Sequence, residues 1–199
     1  MLPEKTVDFK PGVGEHPRRP DMDEDIEKIL LHTATIQARI DELAARITED
    51  YRGKELTVVA VLTGALMFTA DLLRRIPLPL KLDCLSVASY HGGTETKGEV
   101  KFGQLSLPDI EGRHVLIVDD ILDSGLTLDA ITARFRSECG PLSVRICVLL
   151  SKQKARRKQI AAEYVGFEIE DEFVVGYGLD YRERYRNLPF VGVLKQGLL

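Results

Sequence analysis

The stretch from Val115 to Ile131, V-L-I-V-D-D-I-L-D-S-G-L-T-L-D-A-I, restricts the chain to few architectures. Val115, Leu116, Ile117 and Val118 form an apolar run that reads as a strand buried on both faces, the pattern of a central strand in a parallel sheet. The strand is expected to end on charge at Asp119 and Asp120, before a short turn holding Asp123, Ser124, Gly125 and Thr127. Leu128, Ile131 and Phe135 then recur at helical spacing. A strand, a turn and a helix in this order make one unit of an α/β sheet.

Open α/β sheets hold ligands at the carboxyl ends of their strands, where this unit presents a helix N-terminus with about +0.5 of an elementary charge and unpaired N–H groups. Such an end suits a phosphate. Ser124 and Thr127 add hydroxyls, and Gly125 lets the backbone approach a ligand closely. Asp119 and Asp120 would repel a bare phosphate, so the ligand needs a diol or a bound Mg²⁺ beside it, the form of a ribose 5-phosphate. Side chains alternate along a strand, so if the strand runs through both acids only one faces the ligand directly. The competing reading is an ordinary strand-to-helix turn capped by Asp123 or Ser124.

V-D-D-I-L-D-S-G-L-T also resembles the ribose-phosphate loop of the type I phosphoribosyltransferases, whose members bind 5-phosphoribosyl-1-pyrophosphate.

The chain has 199 residues and a mass of 22.3 kDa, enough for one sizeable core and short for two domains. No apolar run approaches the ~20 residues of a membrane span, and the start M-L-P-E-K-T-V-D-F-K-P-G has no apolar centre, so a soluble cytoplasmic protein is expected. Cys84, Cys139 and Cys147 form no C-x-x-C pair and read as buried thiols. A net charge of −4 argues against a nucleic-acid surface, and the basic run Lys152 to Lys158 reads as a solvated helix face rather than an RNA contact. The four histidines show no metal-ligand spacing.

Residues 1–22, with Pro3, Pro11, Pro17 and Pro20, read as an irregular arm. Ile26 to Tyr51 is compatible with one long helix carrying a Glu42–Arg46 pair at i, i+4; the family resemblance implies instead a short strand at about Lys28 to Leu31 and a helix from about Ala34. Thr57 to Leu62 is a second buried strand, followed by the turn Thr63-Gly64-Ala65 and an amphipathic helix from Met67 to Ile76. Lys81 to Tyr90 and Val100 to Leu105 read as a hairpin whose long polar joint, with Gly92, Gly93 and Gly98, is either a lid or an ordinary surface loop. Ser143 to Leu150 delivers Ser151 and Lys152 to a strand end, unless Lys152 instead opens the basic helix. Glu163 to Ile169, Phe173 to Tyr177 and Phe190 to Leu194 are further short strands.

D-E-F-V-V-G-Y-G-L-D-Y-R-E-R-Y-R, from Asp171 to Arg186, is similar to a segment of the hypoxanthine-guanine branch of the family, and with Y-R-G-K near residue 51 and V-G-F-E-I at 165–169 the likeness spans about residues 27–195. The resemblance implies an α/β domain with a mainly parallel twisted sheet flanked by helices (core about 52–160). A small hood comes from N- and C-terminal segments (about 23–33 and 163–199). It implies that Asp119 and Asp120 hold the ribose hydroxyls, in part through Mg²⁺, and that Asp123, Ser124, Gly125, Leu126 and Thr127 bind the 5-phosphate. Asp123 would also take the proton at N7 of the purine, Lys152 would donate to the 6-oxo group, Phe173 would stack on the base and the Val174 backbone would read its edge. Thr63, Gly64 and Arg186 would bind pyrophosphate, Asp180 a second Mg²⁺, and Ser89-Tyr90 would open a loop that covers the site. Thr63 departs from the family, which usually has lysine or arginine there, and Leu126 replaces a lysine found in some members.

The reaction so implied joins hypoxanthine or guanine to phosphoribosyl pyrophosphate, giving the purine mononucleotide and pyrophosphate, in a homodimer or homotetramer with no nucleic-acid or membrane partner. Rival readings are a phosphoribosyltransferase for another base such as xanthine, a regulator that binds the sugar phosphate without catalysis, and a phosphate-accepting receiver domain. The last also pairs acids with a later lysine, but after the first strand of a shorter chain.

Overall fold

The computed structural model describes residues 22, 24–88, 101–102 and 107–198. In chain order the elements are β1 (Ile26–Leu31), α1 (Thr33–Asp50), β2 (Leu56–Leu62), α2 (Leu66–Leu73), β3 (Leu80–Ala88), β4 (Lys101–Phe102), β5 (His114–Leu122), α3 (Leu126–Glu138), β6 (Ser143–Lys152), β7 (Tyr164–Ile169), β8 (Val174–Val175) and β9 (Val191–Leu194). A 3-10 turn, Gln196–Leu198, closes the chain.

The apolar run of β5 dictates the layers. Leu116 and Val118 point to one side of the sheet, into a core shared with Leu56 and Val58 of β2, Phe68 and Leu72 of α2, and the stripe Ile36, Ile40, Leu43 and Ile47 of α1. Val115 and Ile117 point to the other side, against Leu128, Ile131 and Phe135 of α3. All four β5 residues are fully buried, each contributing about 1.5–3 kcal/mol of hydrophobic stabilisation. The large sheet runs β4-β3-β2-β5-β6-β7, parallel throughout except for β4, which pairs antiparallel with β3. A second antiparallel sheet, β1-β9-β8, lies apart from it and joins the N-terminal segment to the C-terminal one.

Several expectations are corrected. β5 does not stop at the charge; it runs through both aspartates to Leu122, because β6 continues to pair with it as far as Leu122↔Ser151. The stretch expected with the hood at 164–169 is β7, which extends the large sheet by parallel pairing with β6. The strand-then-helix reading of residues 26–50 holds, but Glu42 pairs with Arg39, one helical turn back, while Arg46 lies over the Tyr164 ring. α2 ends at Leu73, three residues short of Ile76. The basic run forms no helix: Lys152 closes β6 and residues 153–163 are irregular. Cys147 is buried, whereas Cys84 and Cys139 are partly exposed. Ser89, Tyr90 and the joint after them lie outside the described residues. Among the described residues no helix is long and apolar enough to cross a membrane.

Candidate active site

The carboxyl ends of β2 and β5 open into a cavity of about 250 Å³, lined by Thr63 and Gly64 after β2, Asp119 to Gly125 and Thr127 around the end of β5, and Asp180 and Arg186 from the C-terminal segment. Strand alternation assigns the acids to opposite faces: Asp119 continues the Val115–Ile117 side and Asp120 the Leu116–Val118 side. Asp120 therefore meets the β2 turn. A Cβ built on Gly64 would stand 1.7 Å from Asp120 Oδ2, so only a glycine lets the turn lie against that carboxylate. Gly178 closes on the same turn from the hood, where its own Cβ would fall 2.1 Å from the Gly64 carbonyl oxygen. The Leu62–Thr63 peptide between strand and turn is cis.

Desolvation drives the electrostatics of the acid pair. Burial pushes the Asp119 carboxyl well above the usual carboxylate range, with the Asp120 charge beside it adding to the effect; burial also raises Asp120, against the pull of its hydrogen bonds and of Arg186. Asp119 Oδ1 accepts the Asp120 backbone N–H at 2.9 Å. A buried carboxyl beside a half-buried one, with Arg186 acting only on Asp120, forms half of a cation site. Among the described residues no three acidic, histidine or cysteine groups come together to hold a metal, so any ion must draw its remaining ligands from water or substrate oxygens. That division suits Mg²⁺, which keeps several waters and takes one or two carboxylates plus substrate phosphates.

The turn at the start of α3 leaves the first helix amides without a side-chain cap. Gly125 is the N-cap residue, with φ 79°. Ser124 Oγ reaches the Leu126 N–H only at 3.4 Å, so the capped-turn reading gains little support. Gly125 is required twice, by its positive φ and by its contact with the following loop: a Cβ there would lie 2.9 Å from Ile160 Cγ2 and 3.0 Å from the Lys158 carbonyl. The Ser124 carbonyl holds that loop by accepting the N–H groups of Arg157 and Lys158 at 3.1 and 3.2 Å.

Beside this turn, Asp123 faces two lysines. Lys152 Nζ is 3.3 Å from Asp123 Oδ2, and Lys154 Nζ is 2.6 Å from Asp123 Oδ1. Both ammonium groups also meet Asp171 Oδ1 at 2.9 Å. Asp171 is held below the ordinary carboxylate value, chiefly by Lys154 and then by Lys152. On the opposite rim Arg186 bonds the Gly178 carbonyl at 2.7 Å and pairs with Asp180 Oδ1 at 2.8 Å. Asp180 Oδ2 accepts the Glu183 N–H, so both its oxygens are engaged.

The model of the Phosphoribosyl transferase domain matches residues 28–182. A hypoxanthine-guanine phosphoribosyltransferase of Staphylococcus aureus is 48% identical over 174 residues, which is 87% of this chain and 97% of that protein. The chain belongs to the phosphoribosyl transferase family, in its hypoxanthine-guanine branch.

As a phosphoribosyltransferase, the chain also has close structural relatives. A crystal structure of a hypoxanthine phosphoribosyltransferase from Staphylococcus aureus superposes with TM-score 0.84 at 47% identity, covering 89% of this chain and 96% of that one. A hypoxanthine-guanine phosphoribosyltransferase from Bacillus anthracis gives TM-score 0.79 at 42% identity, covering 86% and 98%. The fold expectation is therefore met: a mainly parallel sheet flanked by helices, of the type I phosphoribosyltransferase kind.

Of the residues singled out in the sequence, the cavity gathers Thr63, Gly64, Asp119, Asp120, Asp123, Ser124, Gly125, Thr127, Asp180 and Arg186. Lys152 is buried and joins this set through Asp123. Leu126 opens α3, and Val174 is buried in β8. Phe173 is 41% exposed and packs edge-on to Tyr181 with ring centroids 5.5 Å apart; neither it nor Val174 lines the cavity. Sequence reading missed Lys154, Asp171 and Gly178. No periodicity pointed to Lys154, which lies past the end of β6 in an irregular run.

Proposed function

We propose that this phosphoribosyltransferase transfers the 5-phosphoribosyl group to hypoxanthine or guanine, releasing pyrophosphate and the purine mononucleotide. The observation that carries this reading is the 3.3 Å pairing of Lys152 with Asp123 at the edge of the turn into α3. O6 and N7 lie side by side on a 6-oxopurine, so a donor beside an acceptor matches that edge. Adenine would set an amino group against the lysine, leaving a buried donor unpaired at about 1–3 kcal/mol.

In this reading the free amides of α3, with Ser124 and Thr127, hold the 5-phosphate, and Asp119 and Asp120 hold the ribose diol. The Ala65 amide is already bonded to the Val61 carbonyl, which leaves Gly64 and Arg186 to receive pyrophosphate. As pyrophosphate leaves, negative charge grows on that side and C1 of the ribose becomes oxocarbenium-like, so Arg186 stabilises one and the carboxylates the other. Asp123 takes the N7 proton while Lys152 bonds O6; Phe173 covers the base and the Val174 backbone reads its far edge. Mg²⁺, when bound at Asp119 and Asp120, would neutralise charge on the pyrophosphorylated sugar. A second ion at Asp180 would require that carboxylate to exchange Arg186 and the Glu183 amide for it. A homodimer or homotetramer, cytoplasmic and without a nucleic-acid partner, belongs to the same proposal. The basic run supports the last point, since Lys152, Lys154 and Lys158 are all ion-paired within the chain.

The test is an assay of hypoxanthine, guanine, xanthine, adenine and uracil with phosphoribosyl pyrophosphate and Mg²⁺. Turnover of hypoxanthine or guanine with adenine and uracil rejected is expected; turnover of xanthine alone would move the assignment to the sister base. In the same assay Asp123→Asn should lower kcat by about 10²-fold or more while the KM for phosphoribosyl pyrophosphate stays within a few-fold.

A further inference from the structure

Asp123, Lys154, Asp171 and Lys152 close a ring of four alternating charges, and its contacts are unequal. Asp123 Oδ1 is held by Lys154 at 2.6 Å, whereas Asp123 Oδ2 meets Lys152 only at 3.3 Å. Lys152 has a closer partner in Asp171 Oδ1 at 2.9 Å, which Lys154 shares at the same distance. The two lysines also differ in setting: the Lys152 side chain is 10% exposed and that of Lys154 is 29% exposed. Lys154 thus closes the ring from the solvent side.

We propose that Lys154 is a positioning residue for the base-binding half of the site: it pins one oxygen of Asp123 and so leaves the other free for the purine. The proposal rests on Asp123 as proton acceptor and Lys152 as reader of the 6-oxo group. When a 6-oxopurine docks, Lys152 turns a proton to the base oxygen, and the contact it gives up is the long one to Asp123 Oδ2. Oδ1 stays with Lys154, itself anchored on Asp171. Oδ2 is then a free lone pair beside N7. Without the second ammonium the carboxylate turns about χ2, a broad torsion for aspartate. It then settles back on Lys152 and competes with the base for the same donor. A 1 Å misplacement of this kind costs up to about 10²-fold in rate.

The experiment compares Lys154→Met, which keeps the apolar stem, with Lys154→Arg, which keeps the charge, on the full chain with phosphoribosyl pyrophosphate and Mg²⁺. Thermal unfolding checks that both fold. Lys154→Met should lower kcat/KM for hypoxanthine about tenfold, with the KM for phosphoribosyl pyrophosphate unchanged within about twofold, and Lys154→Arg should recover most of the loss. In an Asp123→Asn background the Lys154→Met change should cost little more, because the group it acts through is gone. Wild-type kcat/KM in Lys154→Met, an equal defect in Lys154→Arg, a defect confined to phosphoribosyl pyrophosphate, or full additivity with Asp123→Asn would each overturn the role of Lys154 while leaving the phosphoribosyl transfer intact. Undiminished turnover in Asp123→Asn alone would remove the proton acceptor, and the positioning role with it.

Discussion

The Tyr177 hydroxyl donates to Asp71 Oδ2, tying the C-terminal segment to the helix that follows the Thr63–Gly64 turn. Gln37 of α1 donates to the same oxygen at 2.9 Å, and Arg75 reaches the Gln37 amide oxygen at 2.7 Å. Tyr177 has φ 50° and Gly178 φ 103°, so this tie fixes the bend that brings Gly178 over Gly64.

Asp71 should make stability acid-sensitive. Burial disfavours its charge, but the bonds from Tyr177 and Gln37 and the nearby Arg74 and Arg75 outweigh burial and hold the carboxyl below its ordinary 3.8. A depressed folded value gives stability that is present above the unfolded value and lost as pH falls through the folded one. Thermal unfolding of Asp71→Asn should therefore show a lower Tm than wild type near pH 6 and a gap that narrows below about pH 4. Tyr177→Phe should cost about 1–3 kcal/mol at neutral pH, as the carboxylate loses a donor.

The acid pair at the end of β5 predicts the opposite slope. Asp119 and Asp120 are raised by burial, so the stability they carry in metal-free protein is present at low pH and falls as pH rises through their folded values. Mg²⁺ with pyrophosphate should raise Tm more at pH 8 than at pH 5, and Asp119→Asn combined with Asp120→Asn should flatten the difference. An equal shift at both pH values would count against this pair as the ion's seat. Chelation of Mg²⁺ should abolish turnover.

The parallel core was legible because an apolar run such as Val115–Val118 has few other uses, and the turn into α3 because Gly125 with its hydroxyl neighbours marks a helix start. The full extent of β5 was not legible: charged residues ordinarily end a buried strand, and here pairing with β6 carries Asp119 and Asp120 on into the sheet. The placing of residues 164–169 failed for a related reason. A half-buried alternating strand at a sheet edge and one in a hood read alike, and only its partner β6 distinguishes them. Lys154 and Asp171 were hidden by distance, since 17 residues separate them and no local pattern reports a contact between two loops.

Glycine positions in the site should separate close approach from backbone conformation. Gly64→Ala, at a position without positive φ, would drive a methyl into the Asp120 carboxylate, while Gly178→Ala, at φ 103°, would combine strain with a methyl 2.1 Å from the Gly64 carbonyl. Gly53, with φ 71°, has nothing within 4 Å of the same virtual atom. Gly53→Ala should thus cost about 1 kcal/mol from strain alone, with phosphoribosyl pyrophosphate binding kept. Gly64→Ala and Gly178→Ala should weaken that binding at least tenfold, by calorimetric titration, since the turn must move off the cavity wall.

Lys152→Met should relax base choice. Removing the buried ammonium takes away the donor for a 6-oxo group and also the penalty for a 6-amino group, about 1–3 kcal/mol, so the hypoxanthine-to-adenine ratio of kcat/KM should fall by about 5- to 150-fold. An unchanged ratio would assign the discrimination to other groups.

Thr63 is exposed at the rim of the cavity, and its carbonyl accepts the Leu66 N–H at 3.2 Å, so its side chain is free to change without disturbing the turn. Across the cavity Arg186 is ion-paired with Asp180 at 2.8 Å, so the pair's carboxylate offsets part of the field it presents to an anion. A lysine at position 63 adds a cation in partly hydrated surroundings, where an ion pair contributes about 0.2–1 kcal/mol. Thr63→Lys should therefore tighten pyrophosphate by up to about fivefold in direct titration, with the gain shrinking as salt is added. Because a tighter product leaves more slowly, kcat should fall or stay level even as the affinity improves. Identical pyrophosphate affinity in wild type and Thr63→Lys would mean that the Gly64 amide and Arg186 already saturate the anion, and that the threonine carries no deficit.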